Sequence, residues 1–558
     1  MYSMCDMKVI LTNRLCRPAL PVRWRDGWGG LRWVILHALL GAVLVGCGGT
    51  DGGGGAGGVG SQSGRPLDVG AVDELVAAAD RDSVDYYLLR AEAELATGAA
   101  GAAVATLLQA AQRFPNQADR LRDTLWRTLE LCDAAQLDAL ADSASDYEMR
   151  GWVELARISR SSQFSLRSQL NAIARWRRVW AQHSAADRPP AALARLEQAW
   201  EQRPRHVALI LPLQGAAGKA IQEGFLSAYY QSLANSRDVA RISVFDSSGL
   251  SSIADMYDEA VDSGADLIIG PLDKALVNQL KQSRNLEVTT LALNYADDTS
   301  TLTNRLYQFG LTPEDEIAQA VDLAWDAGHR NAALLTPALD DYARLRNIFT
   351  TAWTARGGTV VADADYHANS DYATVVKRLL AIDSSESRRD RLVNILPRSE
   401  VRFTPHRRSD IDFLFLIANP RQGRQIKPTL GFYFAENMPV YSMPSIYDGT
   451  DNPAANQDLN GIVFTDAPWV FDSDSTLKAT TQSTLPPAQG ALQRLRAMGV
   501  DSFQLHLHLA QLAAGDVNTL HGATGVLTLD ENNHIRRRLQ VARFENGKAH
   551  AQPTTLLP

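Results

Sequence analysis

Between about Asp68 and Trp200 apolar positions recur at intervals of three and four, as in Leu88, Ala91 and Leu95 and again in Ala103, Leu107 and Ala111. That spacing lines one face of a helix, and with strand formers sparse it predicts antiparallel helices paired along those faces. Further helices are expected over Asp119–Leu131, Ala134–Ala141, Asp146–Ser159, Ser165–His183 and Pro190–Gln202. At Arg205 the pattern changes to short β-branched runs that alternate with amphipathic stretches. The runs are His206–Leu211, Arg241–Phe245, Leu267–Ile269 and Val288–Leu293, then, after a break at Tyr307–Pro313, Asn331–Leu335, Thr359–Asp365, Phe413–Ala418, Val440–Ser442 and Ile462–Phe464. Such alternation means parallel β-α-β units, here in two lobes. Gly525–Leu529 and Ile535–Phe544, separated by Asp530-Glu531-Asn532-Asn533, predict a closing hairpin.

The N-terminus carries a different pattern. Trp33 to Val45 is apolar for about 13 residues and follows several arginines; it is too short for the roughly 20 residues of a spanning helix and suits a signal-peptide core. It ends in Leu44-Val45-Gly46-Cys47, which resembles the bacterial lipobox. The resemblance implies cleavage between Gly46 and Cys47, acylation of Cys47 and, with Gly48 rather than Asp beside it, an outer-membrane anchor facing the periplasm. The long segment ahead of the apolar core leaves room for a translation start downstream of Met1. Residues 48–64 hold ten glycines among seventeen residues, a composition that buries no core and forms a flexible tether. The expected organisation is a signal peptide at 1–46, lipidated Cys and tether at 47–67, a helical domain at 68–203 and a bilobed domain at 204–558. Within the last, lobe 1 is placed at about 205–309 and 465–520, and lobe 2 at about 314–464 and 521–550.

The chain has 558 residues, 45% hydrophobic and 21% charged, more than one core usually organises. Loss of residues 1–46 removes six cations and two anions, so the net charge of −8 becomes −12. An acidic body argues against nucleic acid, whose binders need clustered cations. Cys5 and Cys16 fall in the removed segment and Cys47 is spoken for, which leaves Cys132. It closes the helical series Leu121, Leu125, Leu129 and is expected as a buried small hydrophobe.

Tyr87–Ala93, Gly98 and Ala103 to Phe114-Pro115 loosely resemble one tetratricopeptide unit. Val207–Leu213 followed by Gly215, with Gly224-Phe225 and Ile268-Ile269-Gly270-Pro271, resembles the first lobe of type I periplasmic binding proteins. With the lipobox and the helical domain, the segments Ile221–Tyr230, Leu291–Tyr295, Arg407–Asp412 and Leu459–Ile462 resemble the outer-membrane lipoprotein activators of class A penicillin-binding proteins. That likeness implies a helical, tetratricopeptide-like solenoid followed by a bilobed α/β domain. It also implies a protein that is not an enzyme, carries no cofactor, and stimulates peptidoglycan synthesis by binding a bifunctional synthase, with peptidoglycan as a further contact. The alternative function is a lipid-anchored receptor for a small polar ligand, which requires a roomy cleft with convergent polar groups.

Gly215–Lys219 imitates a phosphate loop, but Leu213 stands where the first Gly is needed and Ala220 follows Lys219. In open α/β sheets ligands settle at the carboxyl ends of strands. By that analogy Gln214, Gly215, Ala216, Asp246, Gly270, Asn294, Tyr295 and Asp466 are the candidate cleft residues. Arg402, His406, Arg407 and Arg408 form a candidate partner surface, and Arg536, Arg537 and Arg538 a second basic loop. Arg175, Arg177 and Arg178 interleave with Trp176 and Trp180, a pattern of solvated arginines beside core tryptophans. His506 and His508 sit two apart on an expected helix and face apart, so no metal site is expected.

Overall fold

The computed structural model describes residues 80–552, apart from 98, 145, 162–165, 284–285, 299–300, 396–402, 474 and 516. Gly46, Cys47, the tether and Arg402 lie outside the described residues. The helical part starts at Val84–Ala96, where the Ser83 side chain accepts the Tyr86 amide. Ala100–Arg113, Ala118–Leu131, Ala134–Ser143, Tyr147–Ser161 and Leu166–Val179 follow. Asp133 and Gln136 close a reciprocal cap on the fourth of these six helices, satisfying two otherwise orphaned amides. The predicted faces make the core: Ala103, Leu107, Leu121, Leu125, Leu129 and Cys132 are all buried.

One expected helix ends early and another is broken. Ser165–His183 gives Leu166–Val179 and then Ser184–Asp187, because His183 leaves the helix, packs edge-on against Trp152 and Trp176 at 5.3 and 5.0 Å, and caps the next turn by accepting from the Ala185 amide. Pro190–Gln202 becomes Ala191–Ala194 and Leu196–Glu201, separated at Arg195.

Beyond residue 205 two sheets form. The strands are β1 (His206–Leu211), β2 (Arg241–Asp246), β3 (Leu267–Ile269), β4 (Thr289–Ala292), β5 (Leu306–Phe309), β6 (Asn331–Pro337), β7 (Thr359–Tyr366), β8 (Phe413–Leu416), β9 (Val440–Ser442), β10 (Ile462–Asp466), β11 (Leu520–His521), β12 (Val526–Leu529), β13 (His534–Arg538), β14 (Gln540–Glu545) and β15 (Lys548–Ala551). Lobe 1 has the order β11-β12-β13-β5-β4-β3-β1-β2, and lobe 2 the order β15-β14-β10-β9-β8-β6-β7. β1 to β5 run parallel, as do β6 to β10, with the antiparallel strands at one end of each sheet. Central strands such as β1 and β8 are buried at every position, as parallel strands covered on both faces must be.

Three expectations are corrected. β5 lies where a break was expected, because Leu306 and Phe309 point into the two faces of the lobe 1 core. Residues 520–538 belong to lobe 1, not lobe 2: Leu520, Leu527 and Ile535 are in the lobe 1 core, while Ala542 and Phe544 fill the lobe 2 core. The closing hairpin is therefore β12 with β13, and the chain changes lobe at Leu539. A further helix, Ile382–Val393, buries Ile382 and Ser385.

The helices Ala216–Asn235 and Ala491–Ala513 cover one face of lobe 1 and cross at two glycines. A Cβ on Gly224 would strike the Arg496 carbonyl oxygen, and one on Gly499 the Ile221 carbonyl oxygen.

Candidate functional site

The lobe 1 side of the cleft is the loop after β1 and the end of β2. Asp246 accepts from the Leu213 amide at 2.9 Å, the Ser248 amide at 3.0 Å and the Ser248 hydroxyl at 2.5 Å, and Ser248 Oγ accepts from Gln214 N at 2.9 Å. The Ser248 hydroxyl and these amides hold the Asp246 carboxyl below its ordinary range. Gln214, Gly215 and Ala216 are exposed, and Gly215 begins the helix Ala216–Asn235. A carboxylate thus stands beside the helix start, where it disfavours a ligand anion.

The other lobe 1 candidates serve the fold. Gly270, at φ +109, lets its backbone approach the Ile210 carbonyl where a side chain would collide. Asn294 Nδ2 donates to the Leu272 carbonyl at 3.0 Å while its oxygen accepts from the Tyr295 amide at 2.9 Å. The Tyr295 hydroxyl donates to the Ile535 carbonyl at 2.6 Å, and burial pushes its pKa up.

Asp466, at the end of β10, is fully buried and meets Arg494 of the helix Ala491–Ala513 in a two-pronged pair, Nε–Oδ1 2.7 Å and Nη2–Oδ2 2.5 Å. The same guanidinium donates to the Pro444 and Tyr447 carbonyls at 2.7 and 2.9 Å. Burial holds the Asp466 carboxyl above its usual range although Arg494 opposes the shift. A second set of contacts joins the helix Pro313–Asp326, packed in lobe 2, to β13 of lobe 1. Arg537 lies 3.7 Å from Glu316, Arg536 lies 3.4 Å from Asp315 and 3.0 Å from Asp530, and Gln319 bonds both the amide and the carbonyl of Leu539. Burial lifts Glu316 to about 7, against the pull of Arg537 and Arg494.

The lobes are thus tied by ionic and amide contacts formed from their own side chains. Of the eight cleft candidates, Asp466 is in this clasp, Tyr295 borders it through Arg536, 5.8 Å over its ring, Gln214, Gly215, Ala216 and Asp246 lie together around Ser248 and the helix start, and Gly270 and Asn294 serve backbone contacts. Arg494 and Glu316 were not singled out from the sequence, and Arg537 was read as part of a solvated basic loop rather than as a partner of Glu316. The local signal for Glu316 is an acidic first turn after Thr312-Pro313; the helix that carries Arg494 also buries Gln493, Arg496 and Asp501, so its sequence does not single that arginine out.

The candidate partner surface is largely satisfied from within. Arg407 donates to the Phe434 and Arg408 carbonyls at 3.0 and 3.1 Å, and Arg408 forks onto Asp410 at 2.7 Å twice. The His406 side chain is exposed. Arg536 to Arg538 are strand residues, not the solvated loop expected, and Arg537 has 2% of its side chain exposed. Trp176 is buried with its indole N–H on the Gly151 carbonyl at 3.1 Å. His506 and His508 are both buried, their Nδ1 atoms facing the Phe503 carbonyl and Gln511 Oε1. Among the described residues no group of His, Cys, Asp and Glu is placed to hold a metal, and no helix is long and apolar enough to cross a membrane.

Residues 72–547 match the protein family described as "LppC putative lipoprotein", across the helical part and both lobes. The chain belongs to the LppC family. Its curated relatives include "Penicillin-binding protein activator LpoA" of Photobacterium profundum, 27% identical over 470 residues that cover 82% of this chain and 75% of the relative. The protein of the same name from Vibrio cholerae is 25% identical over 434 residues, covering 76% and 71%. Among solved structures, full-length LpoA from Haemophilus influenzae is similar at 22% identity and TM-score 0.50, covering 87% of this chain and 85% of that one. The fold of the LppC chain is therefore that of full-length LpoA, a helical part followed by a bilobed α/β domain.

Proposed function

We propose that this protein is an outer-membrane-anchored lipoprotein that activates peptidoglycan synthesis by binding a class A penicillin-binding protein and stimulating its transpeptidase activity, without catalysis of its own. The observation that carries the reading is a family match running through both the helical part and the lobes, in a chain whose relatives are named as activators of penicillin-binding proteins. The clasp supports it over the receptor reading, since Arg494 and Asp466 spend their polar groups on each other and on the Pro444 and Tyr447 carbonyls rather than offering them to a solute. Activation by contact requires that the body bind the active state of its partner more tightly than the inactive one.

The test is capture of a purified class A synthase on the immobilised body, followed by a transpeptidase assay with and without it. Capture with a higher crosslinking rate is expected; absence of both rejects the reading. Anchoring is checked separately. Cys47→Ser removes the acylated atom, and because each buried CH₂ contributes about 0.8 kcal/mol, the variant is expected in the soluble envelope fraction. Mass spectrometry of the unaltered protein is expected to find Cys47 acylated.

A further inference from the structure

The helical part and lobe 1 meet at a polar seam. On one side are Glu130, in the last turn of Ala118–Leu131, and Arg160 of Tyr147–Ser161; on the other are Thr519 and His521 at β11. Arg160 Nη2 lies 2.7 Å from His521 Nδ1, and His521 Nε2 lies 3.3 Å from the Glu130 carbonyl, to which Thr519 also donates at 3.5 Å. Arg160 donates its other Nη to the Cys132 carbonyl. These bonds fix a neutral imidazole: Nε2 carries the hydrogen and Nδ1 accepts from the guanidinium. A charged ring would turn an N–H onto Arg160, and burial with Arg160 drives the His521 pKa down to about 3.

Beside these bonds lies a cavity of about 20 Å³, lined in part by Trp126, Leu129, Glu130, Arg160, Thr519 and His521 and near the volume of one water. The Glu130 carboxyl is half satisfied. Its Oε1 accepts from the Trp126 indole at 2.8 Å, while Oε2 has neither solvent nor a hydrogen-bond partner. An anion there is penalised twice, by burial and by the carbonyl end of its own helix. Arg127 on that helix and Arg160 opposite are the cations facing it. Asp133 acts on Arg160, and Arg538 on His521. None of them bonds to Oε2, and burial raises the Glu130 carboxyl to about 7 against Trp126 and Arg127.

We propose that Glu130 is a proton-operated latch between the helical part and lobe 1: the seam closes with its carboxyl protonated and loosens when that proton is lost. The sign follows from linkage. In the latch, opening of the seam admits water to a carboxyl that burial holds at about 7 and returns it toward 4.5, so it favours the docked state fully below the lower value, and this contribution fades as pH rises through the upper one. The open-to-docked ratio is expected to grow roughly 70-fold between pH 5 and pH 8. The latch is independent of the activator reading and concerns the coupling of the helical part to lobe 1 whatever the protein touches.

The full chain carries bio-orthogonal spin labels at exposed Gln109, in the helical part, and Asp258, in lobe 1. Pulsed dipolar spectroscopy is expected to give one narrow distance at pH 5 and a second, broader population that grows with a midpoint near pH 7. Glu130→Gln keeps the acceptor for Trp126 and stays neutral, so it is expected to hold the narrow distance at both pH values. A distribution that does not change with pH in the unaltered protein overturns the latch, as does a Glu130→Gln protein that opens with the same midpoint. If that variant misfolds, Glu130→Leu, which cannot titrate, is expected to abolish the midpoint, and its persistence overturns the latch.

Discussion

Arg494→Met is expected to destabilise the protein by about 3–5 kcal/mol, the effect of leaving a buried charge without its partner. The guanidinium serves three acceptors at once: the fully buried Asp466 carboxylate and the Pro444 and Tyr447 carbonyls. Methionine fills the volume and serves none of them. The loss is expected to depend on pH. Burial already raises the Asp466 carboxyl, and without Arg494 it rises further. A carboxyl raised on folding favours the folded state in acid and loses that contribution as pH rises; acid therefore relieves the variant more than the parent, and the difference between the two is expected to be smaller at pH 5 than at pH 8. Adding Asp466→Asn removes the stranded charge and is expected to restore part of the loss. Denaturant unfolding of the four proteins of this cycle provides the coupling energy. A loss that is the same at both pH values and simply adds in the double variant would contradict the clasp.

Gly224→Ala is expected to cost about 3 kcal/mol, the upper range for overpacking, because its methyl group meets main chain and not a movable side chain. The added Cβ falls on the Arg496 carbonyl, and the reciprocal Cβ at Gly499 falls on that of Ile221. The helices Ala216–Asn235 and Ala491–Ala513 must separate along their contact, and Phe225 and Phe503, 5.5 Å apart between ring centres, lose their fit. Gly215→Ala is the control. Its Cβ would sit 3.5 Å from the Pro212 carbonyl at an ordinary φ of −85, and a change within about 0.5 kcal/mol is expected. Equal effects at the two glycines would mean that the helices are not packed main chain to main chain.

Periodic features were legible in the sequence. The series from Leu121 to Cys132 is one buried helix face, and the run His206–Leu211 is a strand buried on both sides. Features that depend on which distant strand a segment joins were not. β12 and β13 read correctly as a hairpin, but nothing in their alternation says that β13 lies beside β5 of lobe 1 while β14, one residue beyond Leu539, joins β10 of lobe 2. The clasp was hidden for the same reason. Asp466 was placed in the cleft by fold analogy, but its partner lies 28 residues on in another lobe, and Glu316 and Arg537 are separated by most of the domain. Runs of arginine were misleading, since a basic tripeptide has the same composition whether it faces water or carboxylates across a lobe boundary.

The pairing of β5 with β13 joins Gln308 to His534 and Phe309 to Ile535. A ribosome delivers the first five strands of that sheet long before the three that extend it, so a nascent chain holds the β5 edge unpaired while all of lobe 2's parallel strands are made. Export in an unfolded state would spare the cell that exposed edge, whereas a chain that begins to fold in the cytosol would offer it to other nascent strands.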